Sequence, residues 1–193
     1  MPRRKTFSEE EVLQKAIKLF WRKGYHATSM QDLIDELGIN RASLYDTYGG
    51  KRQLFDRAID TYQNSNFSYL VEFFKGEPQV KVGFQKLFEG KVKECIADKS
   101  RKGCLIVNTT TELIPGDSDW HAYATHKKQE MISVFADYIQ SGIDNQQINV
   151  SKDPTVLAAT LYTFYNGLNV IAKVETNAEE LNQTIGVVLG ALD

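Results

Sequence analysis

The sequence predicts an all-α protein of about nine helices. Apolar residues recur at spacings of three and four along most of the chain, which is the period of one helix face. No long run of alternating β-branched residues marks a strand, and only 4 of the 193 residues are proline. Hydrophobic residues make up 42% of the chain and charged residues 25%, which is ordinary for a globular protein with its own core.

The first helix is predicted to begin after Ser8, which three glutamates follow. Serine is a preferred cap, Glu11 stands at the capping-box position, and acidic residues in a first turn favour the positive end of the helix dipole. One apolar stripe then follows the helix: Val12, Leu13, Ala16, Ile17 and Phe20. Gly24 is predicted to end the helix, because glycine readily adopts the left-handed conformation found after a last turn.

The second and third helices are short and follow closely. Thr28 is the predicted cap of the second helix, with Gln31 at the box position. The apolar residues of this helix have helical spacing: Met30, Leu33, Ile34 and Leu37. Gly38 ends it, and Asn40 caps a third helix that runs to about Tyr48.

A long fourth helix and a C-terminal bundle follow. The fourth helix is predicted over 51–75, and Asp153 with Pro154 is predicted to start a later helix, because proline suits the first helical position. Breaks separate the remaining helices at 76–78, 100–103, 115–117, 149–154 and 176–177. The predicted organisation is therefore a helix-turn-helix domain over 1–50, the connecting helix, and a larger C-terminal domain over 76–193.

Residues 29–48 have the layout of a helix-turn-helix, in which the second helix lies in the DNA major groove. Leu44 and Tyr48 share one helix face, which is predicted to pack with Ile39 on the first two helices. The opposite face presents four side chains: Arg41, Ala42, Tyr45 and Asp46. So short a helix is not stable alone, so burial of one side must hold it while the other side remains available to DNA.

Phosphate contacts are predicted at the edges of this third helix. Tyr45 offers a hydroxyl, and Lys51 adds a charge where the amides of a helix start favour anions. The glycines at 49–50 permit a tight turn and close approach of a DNA strand. The amides near Thr28 and Ser29 form a second predicted anion site. Base contacts are predicted for four residues: Arg41, Ala42, Ser43 and Asp46.

The charge distribution favours contact with DNA through a few basic patches over non-specific attraction by the whole protein. The net charge of −2 does not suit a non-specific nucleic-acid binder. Basic residues nevertheless gather at three places: Arg3-Arg4-Lys5, Arg22-Lys23 and Lys51-Arg52. Local patches matter more than net charge for phosphate contact. The first of them is interpreted either as a solvated tail or as an arm that reaches the minor groove.

The stretch VLQKAIKLFWRKGYHATSMQDLIDELGINRASLYDTYGGKRQLF resembles the N-terminal signature of the TetR family of bacterial transcriptional repressors. The resemblance covers about residues 8–62. It rests on four motifs, LF-x-x-x-GY-x-A-T-[ST], L-G-[IV], [ST]-L-Y-x-x-[FY] and K-x-x-L-F. The stretch GCLIVNTTTEL, residues 103–113, also resembles a helix of one subgroup of this family.

This resemblance implies an all-α homodimer that binds a palindromic double-stranded DNA operator and leaves it when a small effector binds the C-terminal domain. By the same resemblance, Tyr45, Lys51 and Thr28 contact phosphates, and Arg41 and Ala42 face the bases. The fourth helix links the two parts, so it is expected to couple effector binding to the DNA-binding domain. An effector that binds the released state more tightly must lower operator affinity, and it does so by the same factor by which the operator lowers the affinity for the effector.

Asp46 departs from the family pattern, because many members carry a histidine at this position. A carboxylate near phosphates is costly unless it accepts a hydrogen bond from a cytosine amino group or pairs with a cation. Arg41 and Lys51 are the two cations considered as partners. The phosphate role is therefore not carried over to Asp46, although its place on the outer face keeps it among the predicted DNA-binding residues.

The resemblance also implies that the last two long helices pair across a two-fold axis. They span about 156–174 and 178–189, and glycines that permit close helix approach occur at Gly167, Gly186 and Gly190. The alternative is that both are core helices of a monomer. We favour the homodimer, because a two-fold protein matches a two-fold operator.

An effector site is predicted among the aromatic and polar residues of the C-terminal half, since ligand sites are mostly apolar with a few polar groups. The candidate residues are Phe84, Phe88, Asn108, Glu112, Trp120, Tyr123, Tyr162, Tyr165 and Asn166. Plain core packing is the alternative for each of them, and a structural hydrogen bond is the alternative for Asn108 and Glu112. The aromatic content suggests an apolar or aromatic effector.

Other functions lack sequence support. No nucleophile motif or phosphate loop indicates an enzyme or a cofactor, and His121 and His126 have a poor spacing for a metal site. Cys95 and Cys104 are interpreted as inert thiols, with a redox switch as the alternative. Neither a secretory signal nor a membrane span is apparent, which favours a cytoplasmic protein without a membrane partner.

Two other classes of protein remain as alternatives. One is a helical domain that senses a small molecule without binding a specific operator, and the other is an adaptor that binds proteins through its helical surface. A DNA-binding protein differs from both by a steep loss of affinity with salt, in proportion to the phosphates that it neutralises.

Overall fold

The computed structural model describes residues 7–175 and 177–193. Over these ranges the chain forms nine α-helices, which confirms the all-α prediction. Their bounds are α1 Glu9–Lys23, α2 Met30–Leu37, α3 Arg41–Tyr48, α4 Lys51–Lys75, α5 Val80–Ala97, α6 Leu105–Leu113, α7 Ser118–Asp144, α8 Pro154–Ile171 and α9 Ala178–Leu189. A short 3-10 helix, Gly190–Leu192, follows α9.

The chain divides into two compact units, and the division falls between Asn66 and Phe67, inside α4. The first unit contains α1 to α3 and the beginning of α4, and the second contains the remaining helices. None of the described helices is long and apolar enough to cross a membrane.

The first unit is built on the apolar faces of its four helices. Phe20 of α1 and Phe55 of α4 are fully buried, and their rings meet edge to face with centroids 5.0 Å apart. Ser8 caps α1 and accepts a hydrogen bond from the Glu11 amide. Gly24 ends α1 with a positive φ of 82°, as the sequence predicts.

The cap of α2 differs from the predicted one. Ser29, not Thr28, is the N-cap, and its hydroxyl accepts from the Asp32 amide while the Asp32 carboxylate accepts from the Ser29 amide. The capping box therefore uses Asp32 rather than Gln31. Thr28 is fully buried, and its hydroxyl donates to the carbonyl of Gly24 at 2.6 Å. Burial fixes Thr28 in the loop, so the neighbouring serine takes the cap.

The second unit packs one continuous core between α5, α7, α8 and α9, together with the end of α4. Phe74 of α4 stacks on Tyr138 of α7 with ring centroids 4.2 Å apart. The Tyr138 hydroxyl donates to the carbonyls of Glu77 and Gln79, so it also fixes the turn between α4 and α5. Helix α8 begins as the sequence predicts, with Asp153 as its cap and proline in its first turn.

Replacing either of two glycines of α5 by alanine is expected to change the stability of the protein, in opposite directions. A Cβ added at Gly83 would lie 2.1 Å from the Tyr138 hydroxyl oxygen, whereas one added at Gly90 would meet no atom within 4 Å. Gly83→Ala is expected to lower the free energy of unfolding by about 1–3 kcal/mol through overpacking. Gly90→Ala is expected to raise it by about 0.5–1 kcal/mol, because alanine is the better helix former. Chemical denaturation checks both, and equal stability of the two variants would contradict this packing.

Candidate nucleic-acid interface

Helix α3 has one buried face and one exposed face. Leu44 and Tyr48 are buried, and the Tyr48 ring receives the Arg57 guanidinium at 4.9 Å from its centroid. Asn40 caps the helix by accepting from the Ser43 amide at 2.8 Å, as predicted. Gly49 ends it in the left-handed conformation. Packing and capping thus hold a two-turn helix that would not persist alone.

The residues predicted to contact DNA line the other side of α3. Arg41, Ala42 and Asp46 are exposed, Tyr45 is 49% exposed, and Ser43 is half-buried. A helix turns by about 100° per residue, which places Asp46 about 180° from the midpoint between Leu44 and Tyr48. By the same count Tyr45 lies at the flank and Asp46 is the outermost side chain, whereas Arg41 lies about 40° from that midpoint and is exposed at the first position of the helix. The exposed face therefore carries a hydroxyl and a carboxylate, with a cation at the start of the helix.

The start of α4 lies beside Tyr45. A Cβ added at Gly50 would lie 3.4 Å from the Tyr45 ring, so the ring packs closely on this glycine. The Leu54 amide donates to the Gly50 carbonyl, which makes Gly50 the cap of α4. Glycine itself has no side chain that could accept from the first-turn amides of α4. The Lys51 ammonium lies 4.5 Å from the centroid of the Tyr25 ring, at the same helix end.

The start of α2 suits an anion less well than the start of α4. The Asp32 carboxylate already accepts from the Ser29 amide at 2.8 Å and pairs with the Lys23 ammonium at 2.7 Å. Because Thr28 is buried, any contact at this point falls to Ser29 and the neighbouring backbone. Arg3, Arg4 and Lys5 lie outside the described residues.

The capping box of α2 is expected to stabilise the fold at neutral pH and to lose this contribution in acid. The hydrogen bond from Lys23, followed by those from Ser29, holds the pKa of Asp32 well below its ordinary value. A carboxyl with a lowered folded-state pKa stabilises the fold above its unfolded pKa of about 4 and loses this contribution as the pH falls toward the folded-state pKa. The melting temperature of the wild-type protein is therefore expected to fall more steeply below about pH 4 than that of Asp32→Asn. Circular dichroism melts from neutral to acidic pH check this, and parallel curves would contradict it.

The structure brings together only some of the predicted effector residues. Phe84 and Phe88 are fully buried in the core of the second unit, and Phe88 lies 6.1 Å from Tyr165 between ring centroids. Tyr162 packs at the edge of the same core. Trp120 and Tyr123 form a separate ring pair, 5.1 Å apart, outside this buried cluster.

Polar side chains follow one stripe of α8 and meet α6. Asn108 accepts from the Lys173 ammonium and donates to the Lys102 carbonyl, which is the kind of structural hydrogen bond weighed as the alternative to a ligand contact. Asn166 donates to the carbonyl of Tyr162 within the same helix. Glu112 is half-buried on the following turn of α6.

The sequence analysis missed Asn169, which lies on the same stripe. Asn169 is 1% exposed, and its Nδ2 donates to the Tyr165 carbonyl at 2.9 Å. Its Oδ1 has no donor within the described residues. A buried unsatisfied acceptor is costly, so this atom suits a group that carries an N–H or O–H. The i, i+4 spacing from Tyr165 is the only sequence signal that could have indicated it.

Burial affects the pKa values of several titratable groups near this stripe. Burial raises the pKa of Tyr165 to about 12, while the neighbouring Lys91 acts in the opposite direction. Burial opposes the charged form of Lys91, but Tyr165 and Glu94 outweigh it and raise the pKa of this ammonium. Burial also raises the pKa of Cys95, which keeps it a thiol at neutral pH. Cys95 and Cys104 are both free and half-buried.

Helices α8 and α9 expose apolar residues. Ile171 is 50% exposed and Val187 is 82% exposed, and Val156, Val170 and Val174 add to this surface. A Cβ added at Gly167 of α8 or Gly186 of α9 would meet no atom within 4 Å. Helix α8 and the turn after it therefore expose several apolar residues, α9 exposes Val187, and a glycine on each helix leaves room for the close approach of another helix.

Two family models match the chain. One, described as "Bacterial regulatory proteins, tetR family", matches residues 12–58, which contain most of α1 and all of α2 and α3. The other, described as "Tetracyclin repressor-like, C-terminal domain", matches residues 86–188. Together they match both units of the structure.

Similar proteins are known along the full length of the chain. An uncharacterized HTH-type transcriptional regulator of Bacillus subtilis, YezE, is 33% identical over 194 residues and covers 100% of both chains. The HTH-type transcriptional repressor ComR of Escherichia coli is 29% identical over 97% of this chain and 90% of its own. A cysteine mutant of the TetR-family regulator CifR, solved with 26 bp operator DNA, has a TM-score of 0.86 at 27% identity. That alignment covers 99% of this chain and 100% of CifR.

Proposed function

Because this chain belongs to the TetR family of bacterial regulatory proteins, we propose that it binds a palindromic operator as a homodimer and represses transcription until a small effector releases it. ComR is a transcriptional repressor and CifR has been solved with operator DNA, and both match this chain over nearly its whole length. The proposal for this chain rests on its own residues.

The outer face of α3 carries the proposal. Leu44 and Tyr48 anchor the helix from one side, so the opposite side is presented as a rigid reading surface. Tyr45 and Lys51 stand at the edge of that surface, next to the first-turn amides of α4. A DNA strand along this edge meets a hydroxyl, a helix start and an ammonium, which together hold phosphates and set the position of α3.

A second copy of the chain is the proposed partner of α8 and α9. The exposed valines and Ile171 would leave a large apolar surface in water if the chain were a monomer. Two copies paired through these helices bury this surface and present two α3 helices to the two half-sites of a palindrome.

The proposed effector is a small apolar or aromatic molecule that carries a hydrogen-bond donor. Phe88 of α5 packs against Tyr165 of α8, and Asn169 adds a buried oxygen that has no donor among the described residues. An aromatic ligand with a hydroxyl satisfies both the apolar and the polar part of this lining.

Matched pairs of aromatic compounds test the effector assignment. The hydroxylated member of pairs such as phenol and toluene, or 4-hydroxybenzaldehyde and benzaldehyde, is expected to raise the melting temperature more than its partner. This difference is expected to disappear in Asn169→Leu, which has no acceptor. Equal shifts within each pair in the wild-type protein would contradict a role of the Asn169 oxygen.

A mobility-shift and reporter experiment tests the function as a whole. The purified protein is mixed with the DNA upstream of its own gene and with a scrambled duplex of the same length, and a reporter gene is placed behind the upstream DNA. We expect a discrete complex on the upstream DNA only, and lower reporter expression when the protein is present. A protein that raises reporter expression would contradict repression, and equal affinity for both duplexes would favour one of the functions without a specific operator.

A further inference from the structure

Asp46 is the outermost side chain of α3 and has no partner among the residues that the structure describes. No hydrogen bond or ion pair reaches its carboxylate from the described residues. Arg41 is exposed at the first position of α3, and the Lys51 ammonium lies against the Tyr25 ring. Neither of the two cations that could have neutralised Asp46 pairs with it.

The neighbouring side chain gives Asp46 access to the base edges. Ala42 lies one turn earlier on the same exposed side and ends in a single methyl group. The aspartate side chain is also short, so it reaches a base only where the helix approaches the groove floor closely. A small residue at position 42 permits that approach, which a long side chain would prevent.

The chemistry of a carboxylate selects among the four bases. An ionised carboxylate only accepts hydrogen bonds. In the major groove, guanine presents two acceptors, and thymine presents an acceptor and a methyl group. Adenine places the N7 acceptor beside its amino group, which opposes the second carboxylate oxygen. Cytosine presents an amino donor without that neighbouring acceptor, so it is the base that Asp46 fits best.

We infer that Asp46 accepts a hydrogen bond from the N4 amino group of a cytosine and thereby specifies a C·G pair at one position in each half-site. This inference rests on the proposed function, in which α3 enters the major groove. At guanine or thymine the carboxylate loses water without gaining a donor, at adenine the N7 acceptor opposes its second oxygen, and nearby phosphates repel it at every base. Asp46 therefore contributes mainly by weakening the binding of wrong sequences.

Selection from a randomised DNA library tests the inference with three proteins. The wild-type protein is compared with Asp46→Asn, which keeps the shape but adds a donor, and with the matched control Asp60→Asn. Asp60 is an exposed carboxylate on α4 of the same unit, so its replacement removes the same charge away from α3. Asparagine fits the adjacent donor and acceptor of adenine.

The expected result is a change of one base per half-site. The wild-type protein and Asp60→Asn are expected to enrich cytosine at that position, and Asp46→Asn is expected to enrich adenine there with the other positions unchanged. On duplexes that differ only at this base, we expect a preference of about tenfold in each direction, at the lower end of a good base contact. Enrichment of the same base by Asp46→Asn and wild-type protein would overturn this assignment alone. Failure of the wild-type protein to enrich any sequence would overturn the proposed function together with the inference.

Discussion

Ile171→Asp is expected to convert the protein from a dimer to a monomer and to weaken operator binding by about 100-fold or more. Ile171 is half-exposed at the end of α8, beside the exposed Val170 and Val174. A carboxylate in a paired interface is buried without a partner, which costs several kcal/mol. A monomer then binds one half-site and loses the gain from simultaneous contact with two, which is commonly about 10²–10⁴-fold.

Val150→Asp is the matched control for this substitution. Val150 is 84% exposed, and it lies in the turn before α8 rather than on the proposed interface. The control is expected to remain a dimer with unchanged operator affinity. Analytical ultracentrifugation and mobility shift measure both properties. A dimeric Ile171→Asp variant would place the interface elsewhere, and a monomeric wild-type protein would contradict the dimer itself.

Tyr45→Ala and Lys51→Ala are expected to lower operator affinity by about tenfold each, with similar losses on all sequences, because phosphate contacts position the protein without reading bases. Lys51→Ala is also expected to reduce the slope of log affinity against log salt concentration by about one. Tyr45→Ala removes a neutral hydroxyl, so it is expected to leave this slope nearly unchanged. The different slopes separate a lost charge from a lost hydrogen bond.

Lys18→Ala supplies the control for the charge of Lys51. Lys18 is an exposed lysine on α1, and it belongs neither to α3 nor to the start of α4. Its replacement is expected to change neither the affinity nor the salt slope. If Lys18→Ala and Lys51→Ala behave alike, the protein attracts DNA by general charge rather than through the helix start of α4.

The sequence predicted those features that depend on residues close together in the chain. The Asn40 cap, the glycines that end α1 and α2, and the start of α8 at Pro154 all follow from local chemistry. The alternation of buried and exposed positions on α3 also followed from helical spacing. Such signals are reliable because the groups that satisfy each other lie within one turn.

Features that depend on distant partners were not predicted correctly or were missed. Thr28 and Ser29 are both acceptable caps, and only the burial of Thr28 against the carbonyl of Gly24 decides between them. The bond from Lys173 to Asn108 joins residues 65 positions apart. The buried Asn169 oxygen is recognisable only after α5, α6 and α8 are placed together. The aromatic composition likewise did not show that Trp120 and Tyr123 lie outside the buried core of the second unit.

The measurement that tests the central claim most directly is affinity for a selected operator and for a scrambled duplex of equal length, across a salt series. If α3 reads bases while Tyr45 and Lys51 hold phosphates, both affinities fall with salt, and the operator stays at least about 10³-fold tighter. A protein that binds both duplexes equally at every salt concentration would contradict the assignment of this surface as a reader of DNA sequence.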